Sequence, residues 1–341
     1  MAKAKKSKKA SSAALKAPGG AQPPIKKPGL VVNWLKGDPV ETRSNSWLEW
    51  DGTWNLDAAF LGAPFDGAGT VRSGSRHAPD AVRYALPWYT TYSTEDRADM
   101  KSLRVADIGD VQTIVTDMDT SFRNISATTK FLGERGIPVA VIGGDNSVSY
   151  PIVRGLCQAM PKAKFALVHF DAHHDLRESH YGAMSSGVPY RMLLEKHGDQ
   201  VQGRYMTQIG ISDFCNNPTH HDYARKQGIT VISNIEAYRK GIDYAIDVAL
   251  DRATGADAIF ISIDVDGADQ SGAPGTAAPN PFGVDARDVT WTVRQIAANK
   301  HCVGMDITEF SPPTDVATMT ANWAAYTVMN FFYGVSGRKR R

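Results

Sequence analysis

The sequence predicts an α/β protein, a three-layer α/β/α sandwich built on a mostly parallel sheet. Short apolar runs alternate with segments of helical length, several of these runs lead into glycine turns, and two of them end in closely spaced carboxylates. Parallel strands are buried on both faces and therefore have nearly continuous apolar sequences, and helices cover the sheet on either side. Repeated strand–helix units of this kind favour one large domain.

The strands are predicted from the apolar runs. Helices are expected between them, for example over residues 121–135, where Phe122, Ile125, Phe131 and Leu132 follow a helical period and Gly136 ends the pattern. A further helix is expected from about Ser149. The predicted strands cover residues 58–61, 105–111, 138–142, 165–168, 204–211, 230–233, 258–263 and 302–307.

Three regions are expected along the 341 residues. Residues 1–29 form a lysine-rich tail, predicted to be disordered because its first 27 residues contain eight lysines and no acid among Ala, Ser, Pro and Gly. Order is expected to begin near residues 30–34. Residues 30–56 form an extension with four tryptophans, expected to pack on the domain or on a partner subunit. Residues 57–341 form the α/β domain.

Composition excludes several classes of protein. The chain is 42% hydrophobic and 22% charged, has no apolar run long enough to cross a bilayer and no apolar signal core, so a cytoplasmic protein without membrane association is expected. Three widely spaced cysteines predict neither a disulfide framework nor a zinc cluster. Beyond its tail the chain is acidic, which argues against a nucleic-acid-binding face.

A metal site is predicted where the apolar run 165–168 ends. Asp171, His173 and Asp175 follow it at alternate positions, so their side chains point the same way if the chain stays extended. Open α/β sheets place their chemistry at this end of the strands. A solvated loop is the alternative reading of three such residues.

A second strand supports the metal site. Residues 258–263 lead into Asp264 and Asp266, again two residues apart. Together the two strands supply four carboxylates and one imidazole, a donor set that suits Mn²⁺ and related divalent ions better than structural zinc. Two such ions sharing carboxylates are able to hold a hydroxide at neutral pH.

Three segments together resemble the signatures of one enzyme family. In order and spacing, residues 143–147, 171–175 and 262–266 are similar to those of the ureohydrolases, which include arginase, agmatinase and guanidinobutyrase. The resemblance extends from about Asp57 to Phe332. It implies an arginase-like fold, trimers or hexamers, a pair of Mn²⁺ or Ni²⁺ ions, and hydrolysis of a guanidinium-type C–N bond of a small guanidino substrate, usually with urea release.

The resemblance also implies roles for single residues. One metal would be held by Asp171, His173, Asp264 and Asp266, and the other by residue 146, Asp171, Asp175 and Asp264. Asp175 would also hydrogen-bond the attacking hydroxide and relay its proton. Glu309 would pair with the substrate guanidinium, which favours a bidentate carboxylate.

Two of the departures from the family pattern fall on positions expected to take part in the chemistry. Asn146 stands where the family has a histidine ligand, and its amide oxygen is a weaker donor than imidazole towards Mn²⁺ or Ni²⁺. Ser186 stands where a proton-shuttling histidine is usual, and loss of a general acid or base costs about two to four orders of magnitude in rate. His174 and His180 are nearby candidates to replace it, although surface histidines are the more common case.

These departures leave two functions open. The favoured one is a weakly catalytic or non-catalytic subunit of a heteromeric ureohydrolase such as metformin hydrolase, acting on a guanidine or biguanide beside an intact paralogue. The alternative is an active dinuclear Mn or Ni amidinohydrolase of the agmatinase or guanidinobutyrase type with an unusual substrate. A deacetylase-like zinc enzyme and a metal-free scaffold are further readings.

Overall fold

The computed structural model describes residues 25–26, 42–178 and 184–338. Its strands are β1 (Ile25–Lys26), β2 (Ala58–Gly62), β3 (Tyr92–Ser93), β4 (Ala98–Asp99), β5 (Val105–Val111), β6 (Val139–Ile142), β7 (Phe165–Phe170), β8 (Val201–Ile211), β9 (Thr230–Ser233), β10 (Ala258–Asp264) and β11 (Cys302–Thr308). Its helices are α1 (Ser44–Trp47), α2 (Ala78–Ala85), α3 (Met118–Gly133), α4 (Ser149–Ala159), α5 (Pro189–Lys196), α6 (Pro218–Gln227), α7 (Asn234–Lys240), α8 (Ile242–Arg252), α9 (Ala286–Ala297) and α10 (Met319–Gly337).

In the described parts of the chain, nine strands form one sheet in the order β1-β5-β2-β6-β11-β10-β7-β8-β9. Of these nine, β1 runs antiparallel to its neighbour and the other eight are parallel to one another. Strands β3 and β4 form a separate antiparallel pair. The predicted mostly parallel sheet is therefore confirmed, and β6, β11, β10 and β7, which carry the glycine turn and both carboxylate pairs, lie side by side at its centre.

Helices pack on both faces of this sheet and produce the predicted three layers. Alternate side chains of β7 enter two different cores: Phe165 and Leu167 face one, and Ala166, Val168 and Phe170 face the other. The first core is completed by α3, α4, α5 and α6, and the second by α2, α7, α8, α9 and α10. Every residue of β7 is buried, as a central parallel strand requires.

The predicted elements are all present, with small shifts at their ends. Helix α3 begins three residues before the predicted start, because the Asp117 side chain accepts a hydrogen bond from the Thr120 N–H and caps it there. Strand β8 begins at Val201 rather than at residue 204. Strands β10 and β11 each continue one residue further than predicted, to Asp264 and Thr308. The Asp264 carboxylate therefore belongs to strand β10 itself.

The tryptophans of the extension that lie within the described residues pack on the domain. The Trp47 ring meets Phe332 edge to face with centroids 5.9 Å apart, and Trp54 meets Phe131 at 4.7 Å. Trp50 in turn contacts Trp54. In these contacts the tryptophans pack on the α/β domain, which is one of the two outcomes expected for the extension. Trp34 and the expected start of order at residues 30–34 lie outside the described residues.

The short strand β1 falls within the tail that the composition predicts to be disordered. Its backbone pairs with Val111 and Asp110 of β5, and the remainder of that tail lies outside the described residues. In the part of the chain that the structure describes, no helix combines the length and apolar character that crossing a bilayer requires. Cys157 and Cys302 are buried, and Cys215 is exposed.

Candidate metal centre

The carboxyl ends of the four central strands converge on one buried cluster of ligand atoms. Asp171 directly follows β7, and Asp264 closes the neighbouring β10, where Ile263 is in register with Phe170. The backbones approach closely here, because a Cβ on Gly267 would lie 2.5 Å from the Asp171 nitrogen. Only glycine fits at position 267, and the contact brings the two carboxylate-bearing turns together.

Two overlapping groups of side chains can each hold a metal ion. Asp171, His173 and Asp266 form one group, and Asp171, Asp175 and Asp264 form the other; within each group the ligand atoms lie within 4.8 Å of one another. Asp171 belongs to both groups. All five residues predicted from the sequence as metal ligands are therefore brought together. The extended path assumed for 171–175 is wrong, because the chain bends at Ala172 and His173, where the His173 N–H donates to Asp171 Oδ1 at 2.6 Å, and turns again at Asp175, whose φ is +49°.

The first group is held together by His173. Its Nδ1 lies 3.1 Å from Asp266 Oδ2 and 3.4 Å from Asp171 Oδ1. Burial disfavours the protonated ring, but hydrogen bonds with the two carboxylates outweigh it and raise the His173 pKa to about 12. A protonated imidazole thus supplies the positive charge that these carboxylates need, and a metal ion would displace that proton.

Three carboxyls of the cluster, Asp171 among them, resist ionisation. Burial, followed by the charges of neighbouring carboxylates, raises the pKa of Asp171 and of Asp175 to about 8 and holds that of Asp264 well above its usual range. One imidazolium is too little positive charge for so many buried acids in mutual contact. A divalent cation supplies the missing charge, and the oxygen-rich donor set with one imidazole fits Mn²⁺ or a related ion.

Asn146 lies in the same cluster, with its amide nitrogen towards the acids. Its Nδ2 donates to Asp175 Oδ2 at 2.7 Å, and its Oδ1 accepts from the hydroxyls of Ser149 and Thr308, both at 3.0 Å. The side chain is fully buried. In this orientation the amide oxygen points away from the second group of ligands and is already satisfied by two donors.

Glu309 reaches the cluster from the end of β11. Its Oε1 accepts a 2.8 Å hydrogen bond from the Asn146 backbone N–H, and its own φ of +60° turns the chain directly after the strand. Burial and the nearby Asp145 hold the Glu309 pKa well above its usual range. The carboxyl faces the same pocket as His173, Asp175, Asp264 and Asp266.

Ser186 also lines this pocket but makes no contact with the predicted metal ligands that the structure records. Its hydroxyl lies 3.4 Å from that of Thr70, and its backbone N–H donates to Ala68 at 3.0 Å. Of the two candidate replacement histidines, His174 is fully buried and hydrogen-bonded to Gln208 at 2.6 Å, away from the pocket lining. His180 lies outside the described residues.

Sequence reasoning missed three residues around the site. Gln208 and His169 face each other in register on β8 and β7, both fully buried, and His169 contacts Asp171 at 2.9 Å. Arg177 lines the pocket two residues after Asp175. His169 stands two residues before Asp171, and this spacing could have indicated that the two side chains meet. Gln208, a glutamine within strand β8, gave no such indication.

Comparison with known proteins identifies the family. The Arginase family model matches residues 56–333. The formimidoylglutamase of Halalkalibacterium halodurans is 34% identical over 288 residues, covering 84% of this chain and 89% of the relative.

Solved structures show the same fold. That of the Bacillus subtilis formimidoylglutamase has a TM-score of 0.82 at 30% identity and covers 92% of this chain and 96% of its own. A Trypanosoma cruzi formiminoglutamase solved with Mn²⁺ has a TM-score of 0.81, 24% identity, and coverage of 87% and 99%; at that identity the likeness concerns the fold alone. By the extent of the family match and by its relatives, the chain belongs to the arginase family.

Proposed function

We propose that this protein hydrolyses the amidine C–N bond of a small formimidoyl compound, N-formimidoyl-L-glutamate or a near analogue, with a pair of Mn²⁺ or Ni²⁺ ions as cofactor. The observation that carries the proposal is the pair of overlapping ligand groups, joined by Asp171, in a pocket that Glu309 also lines. The similarity to formimidoylglutamases over more than four fifths of the chain supports this substrate class.

One ion would be held by Asp171, His173, Asp264 and Asp266. The other would be held by Asp171, Asp175 and Asp264, with Asn146 beside it. Bound there, the ions would lower the pKa of a water molecule and so supply the nucleophile. The protein groups supply the rest of the chemistry, which is the binding of the amidinium and the handling of one proton.

Glu309 is suited to bind the substrate cation. An amidinium is planar and presents parallel N–H donors, which a carboxylate accepts in a bidentate geometry. The Asn146 N–H fixes one Glu309 oxygen at 2.8 Å and so orients the group. Pairing with the amidinium would also ionise Glu309, whose pKa is raised by burial and by the nearby Asp145.

Asp175 is suited to carry the proton. Asp175 belongs to the second ligand group, so its carboxylate would lie beside the water that the ions activate, within reach of that water's proton. Water would add to the amidine carbon, Asp175 would take its proton and give it to the amine nitrogen, and the C–N bond to that nitrogen would break. A formimidoyl substrate then yields formamide and the free amine, and a guanidino substrate would yield urea.

The test is a substrate panel on the Mn²⁺-loaded protein. We expect N-formimidoyl-L-glutamate to be hydrolysed faster than 4-guanidinobutyrate, arginine, agmatine or metformin, with formamide and glutamate released in equal amounts. Asp264→Asn is expected to abolish the reaction, while Asp251→Asn, a surface acid on α8, leaves it unchanged. Hydrolysis of a guanidine with urea release and none of the formimidoyl compound would overturn this substrate assignment.

A second candidate is a subunit of a heteromeric ureohydrolase that contributes little catalysis itself. Asn146 beside the second ligand group favours it, since an amide is a weaker donor than imidazole towards Mn²⁺ or Ni²⁺. In that case the chain would form a trimer or hexamer with an intact paralogue. Full activity of the complex when this chain carries Asp264→Asn would support the subunit role, whereas turnover by the lone chain would exclude it.

A further inference from the structure

Two histidines meet close to the metal centre but outside the pocket in which the hydrolysis is proposed. Nε2 of His174 lies 3.3 Å from Nδ1 of His221, and the two ring centroids are 5.4 Å apart. His174 is fully buried, whereas His221 is exposed on α6. Among the described residues, neither histidine lines that pocket or belongs to the two groups of candidate metal ligands. The proposed hydrolysis therefore gives this pair no role.

Gln208 determines which nitrogen of the buried ring carries the proton. Its Nε2 donates to the His174 backbone carbonyl at 2.8 Å, and because a carbonyl oxygen only accepts, this contact fixes the orientation of the amide. The Gln208 Oε1 consequently faces His174 Nδ1 at 2.6 Å and accepts a hydrogen bond from it. In the neutral ring the proton is thus on Nδ1, and the lone pair of Nε2 points towards His221. Histidines that bind metals are commonly held by their second nitrogen in this way.

Asn216 holds the two histidines in position relative to each other. Its Oδ1 accepts from the His174 backbone N–H at 2.9 Å, and its Nδ2 donates to the Ala172 carbonyl, also at 2.9 Å. The residue that follows Asn216 is the N-cap of α6, the helix that carries His221. The turn with His174 is therefore joined directly to the start of that helix, and the separation of the two rings is set by the backbone on both sides.

The spacing of the two nitrogens fits two imidazoles on one ion. Zn–N bonds of about 2.05 Å at a tetrahedral angle place two ligand nitrogens about 3.3 Å apart. His174 Nε2 and His221 Nδ1 are separated by this same 3.3 Å. That separation is long for a hydrogen bond, whose donor and acceptor usually lie about 2.7 to 3.2 Å apart. Because His221 is exposed, its own proton is able to reside on Nε2, which leaves the Nδ1 lone pair for a metal.

The donor atoms of this pair favour a different ion from that of the carboxylate cluster. Imidazole nitrogens suit Zn²⁺, whereas Mn²⁺ stands at the weak end of the affinity series for such donors. Among the described residues, no third ligand side chain lies close enough to complete a group with these two. Water would therefore fill the remaining positions of the ion, on the solvent side of His221.

We propose that His174 and His221 form a second metal site, separate from the carboxylate cluster, which binds one Zn²⁺ ion and opens to solvent at α6. The ion takes the lone pairs of His174 Nε2 and His221 Nδ1, and the contact between the two rings is replaced by two Zn–N bonds. The His221 proton moves to Nε2, and the proton on His174 Nδ1 stays in its hydrogen bond with Gln208. The site is independent of the proposed function, because it uses neither the pocket nor the ligands of the cluster.

The test is a titration with Zn²⁺ in an excess of Mn²⁺, which keeps the carboxylate cluster occupied. Calorimetry gives the Zn²⁺ affinity, and elemental analysis after dialysis counts both metals on the same sample. We expect the wild type to take up one Zn²⁺ ion per chain and to retain its Mn²⁺. His221→Asn is expected to lower the Zn²⁺ affinity by at least the roughly 10- to 100-fold that loss of an outer partner of a metal ligand costs. Its Mn²⁺ content should equal that of the wild type.

His220→Asn is the matched control, because it removes the neighbouring histidine of the same helix and is expected to bind Zn²⁺ like the wild type. Equal Zn²⁺ affinities in the wild type and in His221→Asn would overturn the site, as would an equal loss in both variants. Uptake of Zn²⁺ that occurs only with release of Mn²⁺ would also overturn it, because the ion would then occupy the carboxylate cluster. Absence of hydrolysis would count against the proposed function alone, and the zinc count would still decide on the histidine pair.

Discussion

Nε2 of His169 lies 2.9 Å from Oδ2 of Asp171, the carboxylate that belongs to both groups of candidate metal ligands. The opposite ring nitrogen, Nδ1, faces the amide nitrogen of Gln208 at 3.1 Å. An amide NH₂ only donates, so His169 Nδ1 accepts and the ring proton sits on Nε2, pointing at Asp171. Burial lowers the His169 pKa to about 3, which keeps the ring neutral in this tautomer.

Gln208 is accordingly expected to control metal affinity without touching the metal. Gln208→Leu removes the donor to His169, frees the ring to adopt the other tautomer and releases Asp171, which we expect to weaken Mn²⁺ binding by about 10- to 100-fold. Calorimetric titration of the folded protein with Mn²⁺ measures the change. Gln295→Leu, on α9 in the lining of a different cavity, is the control. Equal affinities for the two variants would show that Gln208 does not act on the site.

Asn146 is expected to make the two metal affinities unequal. Asn146 lies beside Asp175 and brings an amide to the ion held by Asp171, Asp175 and Asp264. That ion therefore lacks an imidazole ligand, whereas the other ion has His173. Titration with Mn²⁺ should therefore show one tighter and one weaker binding event. Asn146→His is expected to tighten the weaker event, because imidazole is the stronger donor. Two indistinguishable events in the wild type, or no change in the variant, would contradict this account of residue 146.

The metal-free protein is expected to lose stability as the pH rises from 6 to 8.5. The folded-state pKa values of Asp171 and Asp175, about 8, lie above the value near 3.9 of an unfolded aspartate. The native state therefore binds more protons than the unfolded state in this window, so the free energy of unfolding falls as the pH rises and levels off once both aspartates have ionised.

Manganese should reverse that trend, since the bound ion replaces the protons, and its stabilisation should be larger at pH 8 than at pH 6. Thermal unfolding across the window, with and without Mn²⁺, measures both effects. Asp175→Asn provides the internal check, because a neutral amide at this position should flatten the slope of the metal-free protein. A melting temperature of that protein that rises towards pH 8.5 would contradict the raised pKa values.

Glu309 is expected to act on the substrate and not on the metal. Glu309→Gln keeps the size and the hydrogen bond from Asn146 but removes the charge that an amidinium requires, so we expect a loss in kcat/KM of about 100-fold. Mn²⁺ affinity should change little, as Glu309 belongs to neither ligand group. A variant that loses metal along with activity would instead make Glu309 a part of the metal centre.

The parallel sheet and the carboxylates at its strand ends could be predicted from the sequence, because both leave a strong local pattern of residues. Asp171 and Asp264 could be placed side by side from two apolar runs, and the structure brings them together at adjacent strand ends. The chain gave no comparable signal for Gln208, which depends on the register between β7 and β8. Arg177 was likewise hidden, since its role in lining the pocket depends on a close approach to Gly187.

The ends of helices and strands were also less predictable from the sequence than their existence. The start of α3 is set by the side-chain cap at Asp117, and the additional residues of β10 and β11 are set by their pairing across the sheet, from Asp264 to Thr308. The cap is a polar contact and the strand pairing connects residues that are distant in sequence, so an apolar pattern reports neither.

Metal content and turnover, measured on one sample of the isolated chain, decide whether this chain by itself is a metal-dependent hydrolase of a formimidoyl compound. The chain is purified without any partner, stripped with a chelator and reloaded with Mn²⁺, and bound metal and release of glutamate from N-formimidoyl-L-glutamate are recorded on the same sample. We predict up to two Mn²⁺ ions per chain and turnover that appears only with the metal. A fully loaded chain that releases no glutamate would contradict the claim.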